Sequence, residues 1–299
     1  MSSLPELRPP LREDVPAIAE AGSRFGLQDE TAQDVEMWFD MPSIDMERNA
    51  RVAVENGSII GYADVGDRSG DGKLLWLDAR SDPEAMPALL DFIEARARAL
   101  AAGPAKVKAW SPEHNAPWRT LLESRGYALD QYSFRMRIDL PDEPPPAEWP
   151  EGISVRSYRR EQDEKAIYEA HQETFSDQRD YERDPFDEWV HWSYREPFDP
   201  ELWFLAMHGD EIAGIALCRG QRGGDTTLGW VSVLGVRKPW RRTGIGLALL
   251  RHAFQEFRKR GKTGAGLGVD GQNPTGAVRL YERAGMVPER IFVWYEKFL

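Results

Sequence analysis

Two rhythms of apolar and polar positions run along this chain, and the same succession of them occurs twice. Residues 51–63 are an apolar run, the pair Asn56-Gly57 and a second apolar run. Asn-Gly between such runs predicts a hairpin, because both turn residues tolerate positive φ. Residues 203–217 repeat the pattern around Gly209-Asp210. The apolar run at 73–78 answers the run at 231–236, and each predicts a buried strand. The period then changes to that of a helix, with Leu247, Leu250, Ala253, Phe254 and Phe257 on one face and a counterpart at 86–100. Residues 115–127 answer 273–286, and Leu7-Arg8 answers Ile153-Ser154 as a short first strand before a charged helix.

Between the two successions lies Pro-Asp-Glu-Pro-Pro-Pro-Ala-Glu-Trp-Pro-Glu-Gly at 141–152. Clustered prolines cannot join a helix or a central strand, so this stretch reads as a semi-rigid linker. The expected organisation is a domain at 1–140, the linker at 141–152 and a second domain at 153–299. Each is an α/β unit of ordinary domain size, related by internal duplication.

In the second copy the connection from strand to helix carries candidate chemistry. The strand Val233-Leu234-Gly235-Val236 runs into Arg237-Lys238-Pro239-Trp240-Arg241-Arg242-Thr243-Gly244-Ile245-Gly246, and the helix begins there. The first amides of a helix have no partner inside it, and the helix dipole adds positive potential, so the place suits an anion. Gly244 and Gly246 let a diphosphate approach the backbone, and Arg241 and Arg242 add charge in a fork suited to phosphate. A dinucleotide fingerprint needs Gly or Ala three residues after Gly246, where Leu249 stands. A Walker A loop needs a Gly five residues before Gly261-Lys262-Thr263, where Glu256 stands. The first copy differs at this connection: Asp78-Ala79-Arg80-Ser81-Asp82-Pro83-Glu84 has no glycine and sets carboxylates where phosphates need donors.

Taken with Asn273-Pro274-Thr275-Gly276-Ala277-Val278-Arg279-Leu280-Tyr281 further on, the motif Arg241-x-x-Gly244-x-Gly246 resembles the acyl-CoA site of the GNAT (GCN5-related N-acetyltransferase) superfamily. The resemblance implies two tandem GNAT domains of α/β (α+β) class, each a mixed, mostly antiparallel sheet flanked by helices. In the second, the strand bearing Val233–Val236 is expected to splay from its neighbour. The backbone of Val233, Leu234, Gly235 and Val236 would then pair with the pantetheine arm of acetyl-CoA, as an added strand pairs. Arg241, Arg242, Thr243, Gly244, Ile245, Gly246 and Leu247 would hold the diphosphate. Asn273 would touch the coenzyme or cap the next helix, with Ala277 beside it. Tyr281 would protonate the leaving thiolate, or else pack against the coenzyme as an aromatic.

The implied reaction is attack of an amine on the thioester. An amine of pKa near ~10.4 is neutral about one time in a thousand at pH 7, which costs about 4 kcal/mol unless a base or water chain offsets it. The tandem arrangement is similar to that of the mycothiol synthase family, which carries a Glu on the strand before the Val-Gly-Val segment. Here Trp230 stands in its place. Glu173 and His171 are the candidate replacements; each also fits a solvated helix face. The rings Tyr181, Phe186, Trp189, Trp192, Tyr194, Phe198 and Trp203 are expected to be mostly core, with some walling the acceptor site.

Composition changes the picture only by exclusion. The net charge of −12 argues against general nucleic-acid binding. One cysteine, Cys218, allows no internal disulfide and fits a cytoplasmic setting. The five histidines have no ligand spacing, so no metal is expected. No apolar run has the length of a membrane span or signal core. The expected partner is a small-molecule amine, with the protein a monomer or homodimer. The competing readings are an acyl-CoA sensor or scaffold without catalysis, and an acetyltransferase acting on a protein N-terminus or lysine.

Overall fold

The computed structural model describes residues 4–273 and 275–299. The first run of elements is β1 (Glu6–Arg8), α1 (Val15–Phe25), α2 (Ala32–Phe39), α3 (Met46–Asn49), β2 (Ala50–Glu55), β3 (Ser58–Gly66), β4 (Leu74–Ser81), α4 (Met86–Leu100), β5 (Lys106–Pro112), α5 (Ala116–Ser124) and β6 (Ala128–Asp139). The second is β7 (Ile153–Ser157), α6 (Glu164–Phe175), α7 (Phe186–Ser193), β8 (Trp203–His208), β9 (Glu211–Arg219), β10 (Leu228–Val236), α8 (Ile245–Lys259), β11 (Gly264–Asp270), α9 (Ala277–Arg283) and β12 (Val287–Phe298). Two compact units result. One takes the chain up to Tyr132 with Val190–Ser193 and Ile291–Leu299; the other takes Ser133–Trp189 with Tyr194–Arg290.

In the first unit β1 to β4 pair antiparallel in sequence order, β4 and β5 pair parallel, and β12 lies antiparallel to β5. The β2–β3 turn has Asn56 at φ 51° and Gly57 at φ 79°, the geometry that Asn-Gly favours. Leu75, Leu89, Leu90, Ile93, Val107 and Trp118 fill the core, and β12 contributes the buried Val293 and Tyr295. The second unit repeats the order: β7 to β10 are antiparallel neighbours, β10 and β11 run parallel, and residues of β6 lie antiparallel to β11. Its core is Phe204, Leu249, Leu250, Phe254, Phe257 and Leu267, with Met136 from β6. Each unit's sheet is therefore finished by the last strand of the other half of the sequence.

The duplication reaches individual contacts. Arg8 on β1 grips Asp14 with both guanidinium nitrogens at 2.6 and 2.8 Å, and the Leu11 amide donates to the same carboxylate at 2.7 Å. Arg156 on β7 grips Asp163 at 2.7 Å twice, and the Arg159 amide donates to it at 2.7 Å. In both units the strand arginine holds the aspartate below the usual carboxylate range. The proline-rich stretch has no helix or strand before Gly152. It runs along α8, where Arg258 pairs with Asp142, Arg251 with Glu148, and the Trp149 ring meets His252 edge-on.

Candidate active site

The site begins with a parting of strands. β10 stays paired with β9 as far as Val236↔Gly214, and β11 stays paired with β6 as far as Asp270↔Ser133. Between themselves β10 and β11 pair only from Leu228↔Gly264 to Val231↔Leu267. Beyond that point each strand keeps its outer partner and loses the inner one, as the splay expected from the sequence requires. The register of β10 against β9 steps by one at Ser232, which makes a bulge; a bulge bends its strand and adds twist. A cavity of about 700 Å³ opens between the strands. Its walls include Leu234, Gly235 and Val236 on one side and Leu267, Gly268, Val269 and Asp270 on the other.

The cavity runs to the start of α8. Gly244 precedes the helix at φ 101° and ψ −10°, a conformation that strains any residue with a Cβ. Gly246 serves differently: a Cβ there would meet Leu280 Cδ1 at 3.1 Å, so its absence lets α9 lean on the first turn of α8. Gly244, Gly246 and Leu247 line the cavity. The fifteen-residue α8 thus presents its amide end and the positive end of its dipole to this space. Arg242, at φ 63°, also lines it, and its guanidinium has no partner among the described residues.

Arg241 lines the cavity too, but its guanidinium works within the protein. It donates to the Val236 carbonyl at 3.1 Å and the Thr174 carbonyl at 3.2 Å, and it pairs with Asp177. Asp177 also takes Lys238 at 2.8 Å; these two cations hold its carboxyl low. Glu173 accepts from Arg237 Nε at 2.7 Å and from the Lys238 amide at 3.1 Å. Thr174 sits so close to Gly235 that a Cβ on the glycine would lie 2.4 Å from its hydroxyl. The end of α6 therefore clamps the turn that enters α8. Glu173, offered by the sequence as a base, belongs to this clamp and lies outside the cavity wall. His171 lies outside it as well. Its Nδ1 accepts from Trp189 Nε1 at 2.7 Å, and burial pushes its pKa down to about 4.

On the far side, α9 brings Ala277, Leu280 and Tyr281 to the cavity. Tyr281 is 6% exposed, and burial pushes its pKa up to about 12. Its hydroxyl makes no hydrogen bond among the described residues. Asn273 lines the cavity and accepts from the Thr275 amide and hydroxyl at 2.9 and 2.5 Å. It closes a local turn instead of capping α9, whose N-cap is Gly276 at φ 77°. Pro274 lies outside the described residues. Asn115, its counterpart in the first unit, does cap α5 through the Trp118 amide.

Three other expected residues are not among those lining the cavity: Val233 and Ile245 bury their side chains in the core, which does not bear on the backbone contacts expected of them, and the Thr243 hydroxyl donates to the Trp240 carbonyl at 2.6 Å. The cavity adds Phe175, Gln178, Ser232 and Arg283, which sequence reasoning did not pick out. The signal for Ser232 was present as a polar residue inside an apolar strand, and it is the one exposed position of β10. The ring-rich segment packs on itself: Trp189 and Trp203 are buried, and Tyr194, Phe198 and Trp203 have centroids 4.9 to 5.2 Å apart. None of the seven rings lines the cavity. Trp230 is buried against Gly266, with the guanidinium of Arg222 over its face at 4.9 Å.

The first unit has the same parting, since β4 and β5 stop pairing at Leu77↔Ala109. There the next pair is bridged by side chains, as Trp110 Nε1 donates to Asp78 at 3.0 Å. Arg80 stands beside it, bonded to Glu30 at 2.6 and 2.8 Å and ion-paired with Asp78 at 2.6 Å, with the Trp38 ring 4.0 Å away. Asp82 pairs with Arg24 at 2.9 Å.

A strand pair that parts beside a glycine turn and a helix N-terminus defines a class of acyl-coenzyme transferase, and comparison with known proteins agrees. The chain belongs to the GCN5-related N-acetyltransferase (GNAT) family. The model of the acetyltransferase (GNAT) family matches residues 164–286. A GCN5-related N-acetyltransferase from Sphaerobacter thermophilus is 31% identical, with 100% of this chain and 96% of that one aligned at a TM-score of 0.77. The mycothiol acetyltransferase of Streptomyces scabiei is 30% identical over 197 residues, 63% of this chain and 60% of that enzyme. This chain thus spans about three fifths of that relative's length. A tandem GNAT protein from the clavulanic acid biosynthesis pathway aligns over 98% of both chains at 15% identity and a TM-score of 0.65, a likeness of fold. No helix among the described residues is long and apolar enough to cross a membrane.

Proposed function

We propose that this protein transfers the acetyl group of acetyl-CoA to a small-molecule amine, with residues 153–299 as the catalytic copy, 1–140 as a degenerate copy and 141–152 as the linker. The observation that carries the reading is the open wedge between β10 and β11, continuous with the amide end of α8. The pantetheine arm would lie along Leu234–Val236 in place of the missing strand, with its two amides meeting backbone groups that β11 leaves unpaired. The diphosphate would sit on the first-turn amides of α8 with Arg242 beside it. Arg241 would contribute by holding the turn in shape.

The acetyl group would reach the bulge at Ser232, near Tyr281. A phenol of pKa about 12 stays protonated throughout the neutral range. We assign Tyr281 the role of donor to the departing sulfur: its phenol, held protonated by burial, would hydrogen-bond to the thiolate and supply the proton as the sulfur leaves. With Trp230 in place of an acidic residue, and with Glu173 and His171 engaged elsewhere, water in the cavity would take the amine's proton. Amines of low pKa should therefore react best, and the rate should rise with pH until the amine is neutral. The mycothiol acetyltransferase relatives support a small acceptor.

The test is release of free thiol from acetyl-CoA across a panel of small amines of graded pKa. Thiol release that depends on amine and falls about 10²-fold in Tyr281→Phe, with acetyl-CoA affinity kept, is the expected result. Tight binding of acetyl-CoA with no release for any amine would instead mark a binding protein.

A further inference from the structure

Resting on that reading of the cavity, the geometry points to Arg283 as the residue that recognises the 3′-phosphate of coenzyme A and makes the protein discriminate against coenzymes that lack it. Three arginines line the cavity: Arg241, Arg242 and Arg283. Arg241 is consumed by two backbone carbonyls and Asp177. Arg242 belongs to the turn that enters α8, so its charge falls to the diphosphate. Arg283 stands on the opposite wall, at the end of α9. It is exposed, and its side chain makes no hydrogen bond or ion pair among the described residues.

Its position relative to the diphosphate seat follows from one contact. Leu280 Cδ1 is 3.1 Å from where a Cβ of Gly246 would be, so Leu280 touches the first turn of α8. Arg283 is three residues on, and positions i and i+3 of a helix share a face. Its guanidinium is thus carried past the diphosphate seat toward solvent, where the nucleotide end of the coenzyme would emerge. The helix end supplies about half a charge. A coenzyme with a diphosphate and a phosphomonoester, the latter carrying about −1.5 to −2 at neutral pH, needs more than that. Of the two acids in the wall, Asp177 is neutralised by Lys238 and Arg241, and Asp270 ends β11, where its carboxylate accepts from the Gln272 amide at 2.8 Å. A bidentate guanidinium is the donor that fits a phosphomonoester.

The experiment measures dissociation constants by calorimetry for CoA and 3′-dephospho-CoA, on the full chain and on Arg283→Gln, Arg283→Lys and Arg242→Gln. The unaltered protein should bind CoA about tenfold more tightly than dephospho-CoA. Arg283→Gln should bring the two affinities together by weakening CoA alone, and Arg283→Lys should restore part of the difference. Arg242→Gln should weaken both ligands by a similar factor. An unchanged ratio in Arg283→Gln, with the variant's thermal melt intact, overturns the assignment while leaving the coenzyme site standing. Failure of the unaltered protein to bind either ligand overturns the reading of the cavity, and the assignment with it.

Discussion

His171 and Tyr281 are both aromatic, titratable and buried, and the difference between them is what they face. His171 faces the core under Trp189, so burial leaves it neutral and structural. Its folded pKa of about 4 lies below the ordinary value of ~6.5, and the sign of the linkage follows. Between those two values the unfolded chain binds the extra proton and the folded chain does not. The contribution is therefore fully present above pH ~6.5 and is lost as pH falls toward about 4, by roughly 3 kcal/mol in all. Denaturant melts of the unaltered protein and of His171→Phe should show a shallower acid slope in the variant; identical slopes would exclude this histidine as the source. Tyr281 faces the cavity, and its protonated phenol is available there. The sequence marked both residues as candidates because it shows residue types and spacing. It could not show that one ring lies under a tryptophan and the other opens on a cleft.

At the scale of elements, function depends on one turn and on what holds it. Gly244 was legible as a special position, since a residue without a Cβ lets a diphosphate approach the backbone; its left-handed φ of 101° is an added reason for glycine that the structure supplies. Gly244→Ala should cost about 1 kcal/mol of stability from backbone strain and weaken acetyl-CoA binding as the turn shifts. Thermal melts and calorimetry on the same samples check both effects, and an unaltered affinity would remove this turn from the coenzyme site. The clamp from α6 was not legible. Glu173, Thr174 and Asp177 lie more than fifty residues before the turn they grip, and they look like an ordinary polar helix end. Arg241 is the matching case: its place in the motif suggested phosphate, while the carbonyls and carboxylate around it decided that it braces the turn.

For the molecule as a whole, the repeat makes a quantitative claim. Both units part their parallel strand pair at the equivalent point, and in the second the parting opens a cavity of about 700 Å³. In the first, the Trp110–Asp78 hydrogen bond spans the parting, and Arg80, ion-paired with Asp78 and Glu30, stands beside it. Removing one partner of a buried ion pair leaves a charge that costs several kcal/mol, so this arrangement resists single substitutions. Calorimetry with acetyl-CoA should accordingly give one site per chain, and two sites of similar affinity would refute the contrast between the units. The hydrophobic pattern and turn residues by themselves determined the doubled plan, the hairpins and the glycine turn before α8, because each is written in local periodicity and in the φ that glycine or asparagine permits. Only the tertiary structure decided that the last strand of each half completes the other half's sheet. It also decided which arginines stay free and where the base candidates go. Those outcomes turn on which distant carboxylates, carbonyls and strand edges come within a few ångströms, and no local pattern encodes that.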